Sequence, residues 1–128
     1  MINNAAEAYK RQQVMTATPE ALTLMLYNGA LRFMKEGSEA MDRKDYEQCN
    51  TSLQKAQRIL REFQVTLKME YEISQQLMPL YDYCYNCVVD ANLHSDTGKI
   101  TEAIDIIKEL RDAWAEAMKI ARKERGAS

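Results

Sequence analysis

The sequence predicts an all-α protein. We expect an antiparallel up-down four-helix bundle over residues 18–125, with residues 1–17 as a short helical or extended cap. Three observations carry that prediction. Apolar residues recur at alternating spacings of three and four through four successive stretches, as they do on helices that turn one stripe toward their neighbours. Only four Gly and two Pro punctuate 128 residues, too few for a chain of short strands and hairpins. Short connections separate the stretches, which sets each helix antiparallel to the next. A domain of this length buries roughly two thirds of the surface its unfolded chain exposes, so it needs neither disulfide nor metal to fold.

The first helix opens at Thr18-Pro19-Glu20, with Thr as N-cap, Pro in the first turn and an acid beside it. Its expected seam is Leu22, Leu26, Gly29, Phe33, Gly37 and Ala40, and it ends near Asp42-Arg43-Lys44. Asp45 caps the second helix, whose seam is Tyr46, Cys49, Leu53, Ala56, Leu60, Phe63 and Leu67. The third helix spans about 71–95, with Ile73, Leu77, Leu80, Cys84, Val88 and Ala91 as seam. Pro79 either kinks it or opens it, leaving 71–78 as a separate segment. Asp96-Thr97-Gly98-Lys99 reads as a turn, and the fourth helix then carries Ile100, Ala103, Ile107, Leu110, Trp114, Ala117 and Ala121.

One stripe per helix suffices for a bundle, and this sequence has more. Leu24, Tyr27, Leu31 and Met34 form a second stripe on helix one; Met78, Tyr81, Tyr85 and Val89 form another on helix three. Ile59, Ile106 and Ile120 add to the surplus, and eight Met supply side chains that repack around partners. Two readings are open. Wide stripes are buried in tight bundles, with the N-terminal arm covering the remainder. Alternatively, the surplus lines a groove for amphipathic helices of another chain, and helix three with its tyrosines is the leading candidate. The candidate partner-binding residues are Leu24, Tyr27, Leu31, Ile59, Met78, Tyr81, Tyr85 and Val89. Tyr9 and Val14 join them as the apolar points of an otherwise polar arm.

Other chemistry finds little support. The net charge is −2 with both signs interleaved, which gives no basic face for nucleic acid. The basic residues of the tail, Lys119, Arg122, Lys123 and Arg125, suit a helix C-terminus. No secretory signal and no stretch long enough to span a bilayer is expected. The three cysteines then read as reduced thiols of a cytosolic protein. Cys84-Tyr85-Asn86-Cys87 has redox or zinc spacing but lies inside a helix without further ligands, and Cys49 is a seam residue. His94 is the sole histidine and suits a helix end. The stretch 96–99 lacks the flanking residues of a phosphate loop, and Asp82 and Asp90 read as solvated face. We therefore expect no enzyme, no cofactor and no metal site.

Thr16-Ala17-Thr18-Pro19 followed by Leu26-Tyr27-Asn28-Gly29-Ala30 resembles the flagellin-export chaperones of the FliS type. Ala8-Tyr9 and Val14 upstream, and Leu80-Tyr81-Asp82-Tyr83, Ala91-Asn92 and Leu110-Arg111-Asp112-Ala113-Trp114 downstream, are similar to further elements of that family in the same order. The resemblance spans nearly the whole chain. One departure is Met69-Glu70-Tyr71-Glu72-Ile73, without glycine where the family often has a glycine-rich turn. The resemblance implies an antiparallel bundle with an N-terminal cap. It implies a cytoplasmic chaperone that binds the disordered C-terminal helical segment of flagellin, prevents premature polymerisation and assists delivery to the flagellar type III export apparatus. A component of the export gate is a second implied partner. A disordered segment that wraps a groove and folds there fits this role physically. The alternatives are a helical adaptor or regulator of another partner, and a structural bundle that self-associates.

Overall fold

The computed structural model describes Ala5, Glu7, Ala8, Arg11, Gln12 and residues 17–127. Ala5, Glu7, Ala8, Arg11 and Gln12 are helical, and within residues 17–127 four helices follow in order: α1 Pro19–Asp42, α2 Tyr46–Thr66, α3 Glu72–His94 and α4 Thr97–Ala127. The described residues contain no strand. Each helix packs on its chain neighbour and α4 returns to α1, closing an up-down-up-down ring. The expected all-α bundle is thus the observed one.

Local chemistry sets the boundaries. Thr18 Oγ1 accepts the amide of Ala21 at 3.2 Å with Pro19 just inside the helix, and Asp45 Oδ1 accepts that of Gln48 at 3.1 Å. Helices α1 and α3 both end through a non-glycine residue in the left-handed region, Lys44 (φ 63°) and Ser95 (φ 54°). In each case the next amide reaches back five residues: Asp45 to the Ala40 carbonyl at 2.8 Å, Asp96 to the Ala91 carbonyl at 3.2 Å. The stretch expected to be a turn at 96–99 is instead a cap and first helical turn. Asp96 Oδ1 accepts the amides of Gly98 and Lys99 at 3.0 and 3.4 Å, and α4 begins at Thr97. Helix α3 is continuous through Pro79, so 71–78 is not a separate segment.

The core follows the sequence closely on α2, where Cys49, Leu53, Ala56, Leu60 and Phe63 are buried, though Tyr46 at its start is exposed. On α4, Ile100, Ala103 and Ile107 are buried, Leu110 and Trp114 half-buried, and Ala117 exposed. The other two helices meet expectation in their second halves, where Gly37 and Ala40 of α1 and Cys84, Val88 and Ala91 of α3 are buried, and depart from it in their first halves. Helix α1 buries Tyr27, Ala30, Met34, Gly37, Ala40 and Met41, while Leu22, Leu26 and Phe33 sit half-buried at its edge. Helix α3 buries Tyr81, Cys84, Cys87, Val88 and Ala91, whereas the expected seam residues Ile73 and Leu80 are 58% and 38% exposed. The reason lies across the bundle. The Tyr27 and Tyr81 hydroxyls are 2.6 Å apart, and the Phe63 ring stacks between theirs at centroid distances of 4.6 and 5.2 Å. A tyrosine whose hydroxyl is satisfied buries without polar cost, and Leu80 is displaced to the rim. The α1–α2 contact is close because Gly37 has no side chain; a Cβ there would lie 2.5 Å from Leu53 Cδ2. No described helix is long and apolar enough to cross a membrane.

Candidate functional site

The ten candidate residues separate into three groups. Tyr9 and Val14 lie outside the described residues. Tyr27 and Tyr81 are interior, each 3% exposed, and belong to the aromatic stack rather than to a surface stripe. This corrects the expectation that both lie beside the core. The remaining six are half-buried.

Those six do not form one patch. Leu24 and Leu31 share a face of α1 with Asn28, whose Oδ1 accepts from Arg111 Nη1 of α4 at 3.1 Å, so they look toward α4. Ile59 looks the other way, toward α1, since its Cδ1 fills the space beside Gly29. Met78, Tyr85 and Val89 lie on the edge of α3 next to α2. Asp82 on the same edge accepts from Gln64 Nε2 of α2 at 2.8 Å, which sets that direction. The expected grouping of Ile59 with Tyr85 is therefore not met, because α2 stands between them.

The α2–α3 edge carries a depression at the surface. It is shallow, and it is lined by Gln54, Gln57, Arg58 and Arg61 of α2 and by Tyr85 of α3. The guanidinium carbon of Arg61 lies 5.1 Å from the Tyr85 ring centroid, within cation–π range. Beyond the tyrosine run Met78 and Val89, so an apolar strip on α3 faces a wall of amide and guanidinium donors on α2. The polar wall was missed from sequence. Its signal lies in the sequence, because 54, 57, 58 and 61 follow the spacing of one helical face, but polar residues at that spacing ordinarily mark solvated surface. Geometrically the edge suits an amphipathic helix laid along it.

The cysteines offer no chemistry of their own. All three are free and buried. Burial, and secondarily the neighbouring Cys87, pushes the Cys84 thiol up to about 12, opposite to the shift a nucleophilic thiol requires. Burial also raises Cys49 and Cys87. On the α3–α4 seam the Tyr83 hydroxyl donates to Glu102 Oε2 at 2.5 Å. That bond lowers the Glu102 carboxyl below its ordinary range and raises the tyrosine. Lys99 Nζ stands 4.0 Å from the same oxygen, and the group reads as a surface clasp between helices. No cluster of three or more His, Cys, Asp or Glu able to hold a metal occurs among the described residues.

The family model of flagellar protein FliS matches residues 1–121. The flagellar secretion chaperone FliS of Bacillus subtilis (strain 168) is 42% identical over 127 residues, covering 99% of this chain and 96% of that protein. Its counterpart from Escherichia coli (strain K12) is 31% identical over 108 residues, covering 82% and 79%. A crystal structure of a flagellar chaperone from bacteria superposes with a TM-score of 0.74, over 90% of this chain and 98% of that one. Its sequence identity is 18%, so this last likeness speaks for the fold alone.

Proposed function

The chain belongs to the flagellar protein FliS family, and on that premise we propose that it holds the C-terminal segment of flagellin in the bacterial cytosol. The family is one of flagellar chaperones, not of enzymes. Held in this way, flagellin is kept from premature polymerisation and handed to the flagellar type III export apparatus, with a component of the export gate as receiving partner. The observation that carries the reading is the family match, which spans α1, α2, α3 and most of α4. The α2–α3 edge supports it, because Met78, Tyr85 and Val89 are half-buried on a flank that their own bundle leaves open. A disordered segment folding into a helix there recovers part of its ordering cost by covering them. Residues 1–17 act in this reading as an arm separate from the bundle of 18–125, and it yields to the client.

Calorimetric titration with a flagellin C-terminal segment tests the proposal. Saturable binding is expected, weakened by Tyr85→Ala by about 2 kcal/mol if that ring is a hot spot. Absence of binding to the intact chain would overturn it.

A further inference from the structure

Two arginines on the α2 wall carry the inference. Arg58 and Arg61 lie one helical turn apart, both exposed and both lining the depression with Tyr85. Neither is neutralised by an ion pair, unlike Lys99 and Arg111, which pair with Glu102 and Asp112. At helical spacing Arg61 has Gln57, Arg58, Gln64 and Val65 as neighbours, with no acid among them. Glu62 follows Arg58 by one turn but does not bridge to it. Across the groove the acid is Asp82, and the Gln64 amide already occupies it at 2.8 Å. Arg61 is also oriented. Its guanidinium lies over the Tyr85 ring and donates to Gln64 Oε1 at 3.4 Å through Nη1, which leaves other N–H donors facing the groove.

We infer that the α2–α3 groove selects an amphipathic helix that carries an Asp or Glu side chain beside its apolar face. The apolar face covers Met78, Tyr85 and Val89, and the carboxylate is received by Arg58 and Arg61. The occupant follows from charge complementarity at this one place. The whole chain carries −2 and would by itself favour a basic partner, so a preference for acid must arise locally. Planar guanidinium also recognises carboxylate by paired hydrogen bonds, which a lysine could not supply. The inference rests on the proposal that this groove seats the client, and it names the client feature the groove reads.

The test uses the full chain, its Arg58→Glu/Arg61→Glu variant and two designed helical peptides. Both peptides share one apolar face; one carries Glu on its flanks, the other Lys. A flagellin C-terminal segment is titrated in parallel. The wild-type chain is expected to bind the Glu peptide about tenfold more tightly than the Lys peptide in low salt. The double variant should reverse that order, and salt of about 0.5 M should erase most of the preference. Thermal melting should be unchanged, since both arginines are exposed. Equal affinity for the two peptides, an order unaffected by the reversal, or no binding of either peptide overturns the inference. Failure of the flagellin segment alone, with peptide selection intact, overturns the proposed client and leaves the acidic selectivity standing.

Discussion

Tyr27 on α1 and Tyr81 on α3 bring their hydroxyls to 2.6 Å across the bundle, with the Phe63 ring of α2 stacked on both. Either hydroxyl serves as donor. Changing one tyrosine to Phe leaves the other hydroxyl buried without this partner, at a cost of about 1–3 kcal/mol. The double change Tyr27→Phe/Tyr81→Phe removes both polar groups and keeps the stack. Chemical denaturation of the four proteins should therefore show the double variant well above the additive value in stability. Strict additivity would mean that the pair is not coupled.

The same pair makes the bundle sensitive to alkali. Burial raises both hydroxyls above the ordinary tyrosine value of 10.0, Tyr81 further through its bond to Tyr27. A raised folded pKa favours the protonated form. The contribution is fully present below about pH 10 and is lost as pH climbs from there toward the folded values. Cys84, at about 12, acts with the same sign above the thiol's ordinary 9.0. Stability measured from pH 8 to 12 should fall steeply above 10, and the double Phe variant should fall less.

Two glycines of α1 should respond oppositely to alanine. At Gly37 a Cβ meets Leu53 Cδ2 at 2.5 Å and Cγ at 2.9 Å, and Leu53 is fully buried with nowhere to move. Overpacking costs about 1–3 kcal/mol, more than the ~1 kcal/mol that Ala gains over Gly in a helix. At Gly29 the contact is the mobile tip of Ile59, 3.2 Å away. Gly29→Ala should be neutral or raise Tm, whereas Gly37→Ala should lower it. Equal shifts would contradict the close approach at Gly37.

Leucines 60 and 80 separate core from rim. Leu60 is fully buried, so Leu60→Ala should cost about 2–5 kcal/mol. Leu80→Ala removes a side chain that is 38% exposed and should cost about 1 kcal/mol or less. Thermal unfolding of both variants reads directly that Tyr81, not Leu80, occupies the core on α3. A large loss at Leu80 would restore it to the seam.

The sequence by itself determined the four helices of the bundle, the caps at Thr18 and Asp45 and the core faces of α2 and of the first half of α4. These depend on periodicity and on hydrogen bonds within a few residues, both written in local order. It also held the motifs that resemble the family, and the spacing of the polar wall at 54, 57, 58 and 61. Only the tertiary structure decided which residues turned inward in the first halves of α1 and α3, where Tyr27 and Tyr81 are buried and Leu26 and Leu80 are not. Leu80 and Tyr81 stand about 100° apart on their helix, and hydrophobicity alone favours leucine. Tyr81 faces inward because Tyr27, on another helix, satisfies its hydroxyl and Phe63 fills the space between the rings. The same holds for the candidate site. Ile59 and Tyr85 both read as surplus apolar surface, yet α2 turns Ile59 to Gly29 and leaves Tyr85 to Arg61 on its opposite flank. Which flank a side chain occupies depends on where neighbouring helices pack, and periodicity within one helix carries no record of that.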